Sequence, residues 1–343
     1  MQRFVLLLLF ASLSLTVARA DTVGFREVDI GPGAGQRPLH FVVWYPSRTV
    51  GPLTIVGETP AFEGAPVVKD GAPADGARPL IVMSHGYGGS WRNLSWLATE
   101  LVQKGYVVAA PDHPGTTTFN RDSRQASQLW ERPHDLGRVT DRLIEDNSLA
   151  GSVDADRIAA IGHSLGGWTV LSIAGGRFNT ERFQKDCAVD PNPRTCNLTA
   201  ELALAGPPDG RLNDDLRDPR IKAAVSLDLG LARGFTPQSL AAIDLPILVI
   251  GAGVDVGGLP ADKESGYLSA NLPASTSRYV KIPDAMHFSF MQLCKPGAEA
   301  AIEEESPGDG VVCRDGGARS RALVHEEVVG TVTSFLATAF RSD

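Results

Sequence analysis

Residues 162–166 read Gly-His-Ser-Leu-Gly, a serine set between two glycines. A serine hydroxyl is a weak nucleophile by itself. To attack a carbonyl it needs a neighbouring base and a turn that lifts Oγ clear of its own backbone. The G-x-S-x-G spacing supplies the turn, because small flanking residues let a strand and the following helix approach closely around the serine. In a chain with 36 glycines among 343 residues the pentapeptide alone is a weak signal. Its context strengthens it. The apolar run Arg157–Ile161 reads as a strand, and a segment of helical spacing with Trp168, Leu171 and Ile173 follows. Ser164 is therefore the expected nucleophile of an acyl transfer.

In such a setting the chain order is serine, acid, histidine. Of the seven histidines only His287 and His325 follow Ser164. His287 lies in Asp284-Ala285-Met286-His287-Phe288, just past the strand-like Arg278–Ile282, and is the expected base. His325 falls in a closing helical segment beside Glu326 and reads as solvent-facing. Two carboxylates compete to orient His287. Asp255 follows the apolar run Pro246–Ile250, and Asp228 ends the run before it. Asp255 is favoured and Asp228 is the alternative, the other of the two capping a loop. The oxyanion of the tetrahedral intermediate would be met by the amides of Leu165 and Tyr87, the latter in the Gly-rich turn Ser84-His85-Gly86-Tyr87-Gly88-Gly89. His85 is expected to brace that turn. Tyr87, Trp168, Met286 and Phe288 are candidate pocket walls, with plain core packing as the competing reading.

Elements of regular spacing must hold these residues. Apolar runs at His40–Tyr45, Leu80–Met83, Tyr106–Ala110, Arg157–Ile161, Val225–Leu227, Pro246–Ile250 and Arg278–Ile282 alternate with helical segments at Trp91–Lys104, Glu131–Asn147 and Arg319–Phe340. Continuous apolar strands between helices indicate a mostly parallel sheet buried on both faces, an α/β fold. Residues 47–78, rich in Gly, Pro and Ala, read as a long surface connection. Residues 176–220, polar and Pro-rich, read as an insertion over the sheet edge, a candidate lid or a surface loop.

The net charge of −8 argues against a nucleic-acid partner held by a basic surface. Arg3, the apolar run Phe4–Val17 and Ala18-Arg19-Ala20 form a secretory signal peptide with cleavage after Ala20, leaving residues 21–343 as one catalytic domain. No later run has the length of a membrane span, so the expected product is secreted or periplasmic. In an oxidising compartment the four cysteines are expected to pair as Cys187–Cys196 and Cys294–Cys313, each within its own polar segment. Their spacing fits no zinc site.

Taken together, Trp44-Tyr45-Pro46, the Ser84–Gly89 turn, Tyr106–Pro114, Asp154–Gly167 and the His287 loop resemble the α/β-hydrolase superfamily. The resemblance is to the platelet-activating-factor acetylhydrolase and dienelactone-hydrolase-like esterase group, with similarity to cutinase-like polyester hydrolases. It implies an α/β-hydrolase fold and hydrolysis of carboxylic esters through an acyl-enzyme, without metal or organic cofactor. Amide, thioester and polyester cleavage remain alternatives, as does a non-catalytic binding protein on the same scaffold. The acid that the resemblance implies corresponds to Asp228 in the acetylhydrolases and to Asp255 in the polyester hydrolases. Dienelactone hydrolases use a cysteine where this chain has Ser164.

Overall fold

The computed structural model describes residues 22–33, 36–202, 204, 210–317 and 319–341. The expected signal peptide lies outside them. Ten strands form one sheet: β1 Thr22–Ile30, β2 Leu39–Ser47, β3 Thr54–Val56, β4 Ala65–Lys69, β5 Arg78–Ser84, β6 Val107–Asp112, β7 Val153–His163, β8 Ile221–Leu227, β9 Ile247–Ala252 and β10 Ser277–Ile282. Their order across the sheet is β10-β9-β8-β7-β5-β6-β2-β1-β4-β3. From β6 to β10 all pairings are parallel, whereas β2 runs antiparallel to both β6 and β1.

The α-helices in chain order are α1 Ser95–Gln103, α2 Ser123–Ala126, α3 Glu131–Glu145, α4 Leu165–Ile173, α5 Thr180–Val189, α6 Pro193–Glu201, α7 Pro237–Ala241, α8 Ser265–Asn271, α9 Ala298–Glu305 and α10 Arg321–Ala339. The pleat of the central strands sends alternate residues into two cores. Leu80 and Val82 of β5 pack with Leu136, Val139 and Leu143 of α3 and Trp168 of α4. Ile81 and Met83 face the other way, into a cluster with Leu97 and Leu101 of α1 and Val324, Val328 and Val332 of α10. Both faces of the parallel strands inside the sheet, β5 to β9, are covered, which is why they read as unbroken apolar runs.

Two regions depart from the sequence reading. Residues 47–78 are not all connection: they hold β3 and β4, and β4 extends the sheet in parallel beside β1. β3 and β4 are short and polar residues interrupt β1, so none of the three reads as an unbroken apolar run. Among its described residues, segment 176–220 holds the helices α5 and α6. Both cysteine pairs stand at bonding distance in the expected connectivity, Cys187–Cys196 at 2.00 Å and Cys294–Cys313 at 1.97 Å. The first joins α5 to α6. Among the described residues no helix is long and apolar enough to cross a membrane.

Candidate active site

Strands β5, β7, β8, β9 and β10 end on the same side, where open α/β sheets bind ligands. Ser164 occupies the single-residue turn between β7 and α4 with φ 57° and ψ −121°, a left-handed conformation that strains any residue with a Cβ. The neighbouring glycines make the turn possible. A Cβ on Gly162 would stand 2.0 Å from the carbonyl oxygen of Gly166, and one on Gly166 would stand 1.9 Å from that of Ser84. The Ser164 amide donates to the Leu227 carbonyl at 3.0 Å, tying the turn to the end of β8.

His287 begins a short 3-10 turn, His287–Phe290, beyond β10. Its Nε2 lies 3.0 Å from Ser164 Oγ and its Nδ1 lies 2.7 Å from Asp228 Oδ2. The other Asp228 oxygen accepts the Ala252 amide at 2.8 Å. With Nδ1–H donated to a carboxylate, Nε2 is the free lone pair facing the serine hydroxyl, the tautomer able to take its proton.

The favoured carboxylate of the sequence reading is corrected here. Asp255 turns onto its own loop, accepting the amides of Gly257, Gly258 and Leu259 at 3.0, 3.2 and 2.8 Å. It is the loop cap, and Asp228 is the partner of His287. Both follow strand ends, but β8 is the strand paired to β7, so Asp228 stands next to the Ser164 turn.

Gly86 packs directly on the serine, since a Cβ there would lie 3.0 Å from Ser164 Cβ. Tyr87 follows Gly86 and Leu165 follows Ser164, so both belong to the two segments that meet at this contact. Among the described residues neither amide has a protein acceptor. His85 braces the turn as expected: its Nε2 accepts the His113 amide at 3.0 Å, leaving Nδ1–H to donate to the Gly86 carbonyl at 2.7 Å.

A cavity of about 460 Å³ opens over Ser164 and His287. Tyr87, Leu198, Leu231, Leu259 and Phe288 give it apolar walls, and Arg194 and Asn197 add polar groups. Tyr87 and Phe288 are thus where the sequence reading put them, but two other candidates are corrected. Trp168 is fully buried, edge-on to Phe178 at 5.8 Å, and belongs to the core. Its position in α4 turns it away from the cavity into the layer beneath the sheet. Met286 points outward from the His287 turn toward Gly316 and Val254 and does not line the cavity. A larger hollow of about 920 Å³ lies at the opposite end of the sheet, where β7, β8 and β9 begin, and shares no residue with this one.

Several supporting residues escaped the sequence reading. Helix α6 forms the roof, contributing Pro193, Arg194, Thr195, Asn197 and Leu198 to the lining. Beneath it sits Glu264, 2% exposed, whose Oε1 accepts from Asn192 Nδ2 at 2.7 Å and from the Thr195 hydroxyl at 3.3 Å. Its Oε2 accepts the Ala232 amide at 2.7 Å, so one side chain ties the roof to the turn after Asp228. Burial pushes the Glu264 carboxyl up to about 8, against the opposing effect of those donors. At the far end of the roof, burial and the Glu201 carboxylate push the Tyr87 phenol up to about 12.

Two histidines brace the His287 turn. His163 Nε2 donates to the His287 carbonyl at 2.9 Å. His325, read from sequence as solvent-facing, is instead buried and stacked on Trp96 with ring centroids 3.5 Å apart. Its Nε2 donates to the carbonyls of Ser289 and Met291. Burial, with Arg321 nearby, lowers its pKa to about 4.

Fold and site define a class, and the family comparison agrees. Residues 81–293 match the model of the alpha/beta hydrolase family, and the chain belongs to that family. Among characterised relatives it is 26% identical over 216 residues to cutinase est1 of Thermobifida alba, covering 61% of this chain and 53% of that protein. It is 25% identical over 246 residues to a bis(hydroxyethyl) terephthalate hydrolase of Streptomyces coelicolor, covering 70% of this chain and 59% of the relative. The matches thus span little more than half the length of these relatives. In three dimensions the chain resembles a ferulic acid esterase from Streptomyces cinnamoneus, with a TM-score of 0.62 and 23% identity over 93% of this chain and 90% of that one.

Proposed function

We propose that this protein is an exported serine hydrolase that cleaves carboxylic esters. The observation that carries the reading is the hydrogen-bonded run Ser164–His287–Asp228 beneath an open, largely apolar cavity. Ser164 Oγ attacks the ester carbonyl while His287 Nε2 takes its proton, and Asp228 holds the imidazole in the required tautomer. The amides of Tyr87 and Leu165 stabilise the oxyanion. His287 then protonates the departing alkoxide, leaving an acyl group on Ser164. Water deprotonated by His287 attacks that acyl group, and the serine leaves with the returned proton.

Residues 21–343 act as one catalytic domain, with α6 of the inserted segment 176–220 as the roof of its site. The leader at residues 1–20 and the two disulfides support export to a secreted or periplasmic location. The relatives are named as cutinases and a bis(hydroxyethyl) terephthalate hydrolase, and α6 lies across the site, which favours small soluble esters over a polymer surface. The same chemistry applied to amides or thioesters is the competing outcome of a substrate panel.

The test is labelling by a fluorophosphonate probe together with turnover of short esters, long esters, amides and polyester film. The expected result is stoichiometric modification of Ser164 and fastest turnover of short esters. An unmodified Ser164 in folded protein, or a panel led by amides, overturns the reading.

A further inference from the structure

Arg194 is the one side chain of the cavity lining that carries a permanent positive charge. Among the described residues it forms no ion pair: its only hydrogen bond is a long one, 3.4 Å from Nη2 to the Val256 carbonyl. Its Nε is buried and has no acceptor. The guanidinium carbon lies 5.8 Å from the centre of the Phe288 ring, beside His287. A buried donor without an acceptor costs free energy, and a guanidinium fork is shaped to meet a planar carboxylate with two parallel hydrogen bonds.

The backbone that carries Arg194 is held from several sides. Asn192 and Thr195, which flank it, both donate to Glu264. Its own amide donates to the Gly258 carbonyl at 3.2 Å. Cys196, two residues on, is joined to Cys187. With its backbone held in this way, only the Arg194 side chain has to be ordered when a ligand arrives. In a chain of net charge −8 it also marks the place in the cavity where an anion is attracted rather than repelled.

We infer that Arg194 is a specificity residue that receives a carboxylate of the substrate, so that the preferred esters are half-esters or hydroxy-acid esters carrying a free carboxylate besides the scissile bond. This rests on the esterase reading given above. It narrows the substrate class from neutral esters to acidic ones. Phe288 would lie against the carbon skeleton between the two groups, and Glu264 would act as the positioning residue of the roof.

The experiment compares two pairs of substrates on the full chain. One is the para-nitrophenyl monoester of adipic acid against its methyl diester, with the carboxylate on the acyl side. The other is the butyrate ester of para-hydroxybenzoic acid against the methyl ester of the same compound, with the carboxylate on the alcohol side. In at least one pair the acid is expected to have the higher kcat/KM, the difference residing in KM and shrinking as salt is raised. Arg194→Gln should lower the acid-to-methyl-ester ratio roughly tenfold to a hundredfold, the value of a lost charge-assisted hydrogen bond. Arg194→Lys should retain part of it. Fluorophosphonate labelling of Ser164 reports whether each variant keeps a folded site. A ratio unchanged by Arg194→Gln in both pairs, with labelling intact, overturns the inference and leaves the esterase reading standing. Failure of the parent chain to hydrolyse any of the four compounds removes both.

Discussion

Ser164, His287 and Asp228 are not the only serine, histidine and aspartate that stand in a row in this molecule. Ser84 Oγ lies 2.9 Å from His113 Nε2, and His113 Nδ1 lies 2.9 Å from Asp135 Oδ2. The distances match those of the cavity set, yet the surroundings differ in every respect that matters to chemistry. Ser84, His113 and Asp135 have no exposure at all. Arg132 donates to Ser84 Oγ at 3.1 Å, and Arg37 forms an ion pair with Asp135 at 2.5 Å. Ser84 ends β5 in regular strand geometry, with its hydroxyl saturated and no space for a carbonyl. Ser164 stands on a strained turn and faces a cavity that Tyr87 and Leu165 also line. Three side chains in hydrogen-bond order are therefore not an active site. Access, an oxyanion pocket and an unsaturated nucleophile complete one. The buried set has a different use: it fixes Ser84, next to the His85–Tyr87 turn that closes on Ser164.

The largest expected effect separates the two sets directly. Ser164→Ala should abolish fluorophosphonate labelling and lower kcat by about a millionfold, as removal of a triad serine does. Labelling that persists at Ser84 in this variant would break the contrast. Next, Asp228→Asn should reduce kcat by about 10⁴-fold through the wrong tautomer of His287, while Asp255→Asn stays within about tenfold. Initial rates on one short ester decide this, and a crippled Asp255→Asn would reverse the assignment.

The buried set should respond in stability. Asp135→Ala leaves Arg37 and His113 without their carboxylate and should cost about 3–5 kcal/mol, read from urea unfolding. The smallest effect concerns pH. His325 titrates at about 4 in the folded chain, below the ordinary histidine value of about 6.5. The unfolded chain thus binds the proton first, and stability falls as pH drops from about 6.5 to about 4. His325→Gln should make that slope shallower by about 1.4 kcal/mol per pH unit. An unchanged slope would mean that His325 is not the proton acceptor in that range.

How much of this was legible in the sequence depends on the range of the interaction. The G-x-S-x-G turn announced itself because its requirements are local: two glycines within van der Waals distance of backbone, a strand before and a helix after. The central strands were legible because burial on both faces leaves an unbroken apolar run. The two disulfides were legible because each closes a short loop, 9 and 19 residues apart. Strands β1, β3 and β4 were not, since Arg26, Glu27 and Asp29 interrupt β1 and the other two are only three and five residues long.

The sequence by itself determined the fold class and singled out Ser164 and His287 as candidates, because each rests on a pattern of residues close together in the chain. Only the tertiary structure decided which aspartate meets His287, which histidines brace it, and that Trp168 and Met286 leave the cavity while α6 enters it. Those outcomes depend on strand order and on which side of the sheet a helix falls. Asp228 and Asp255 occupy equivalent places along the chain, each just past an apolar strand. The pairing of β8 with β7 is what puts one beside the serine and leaves the other to cap its own loop.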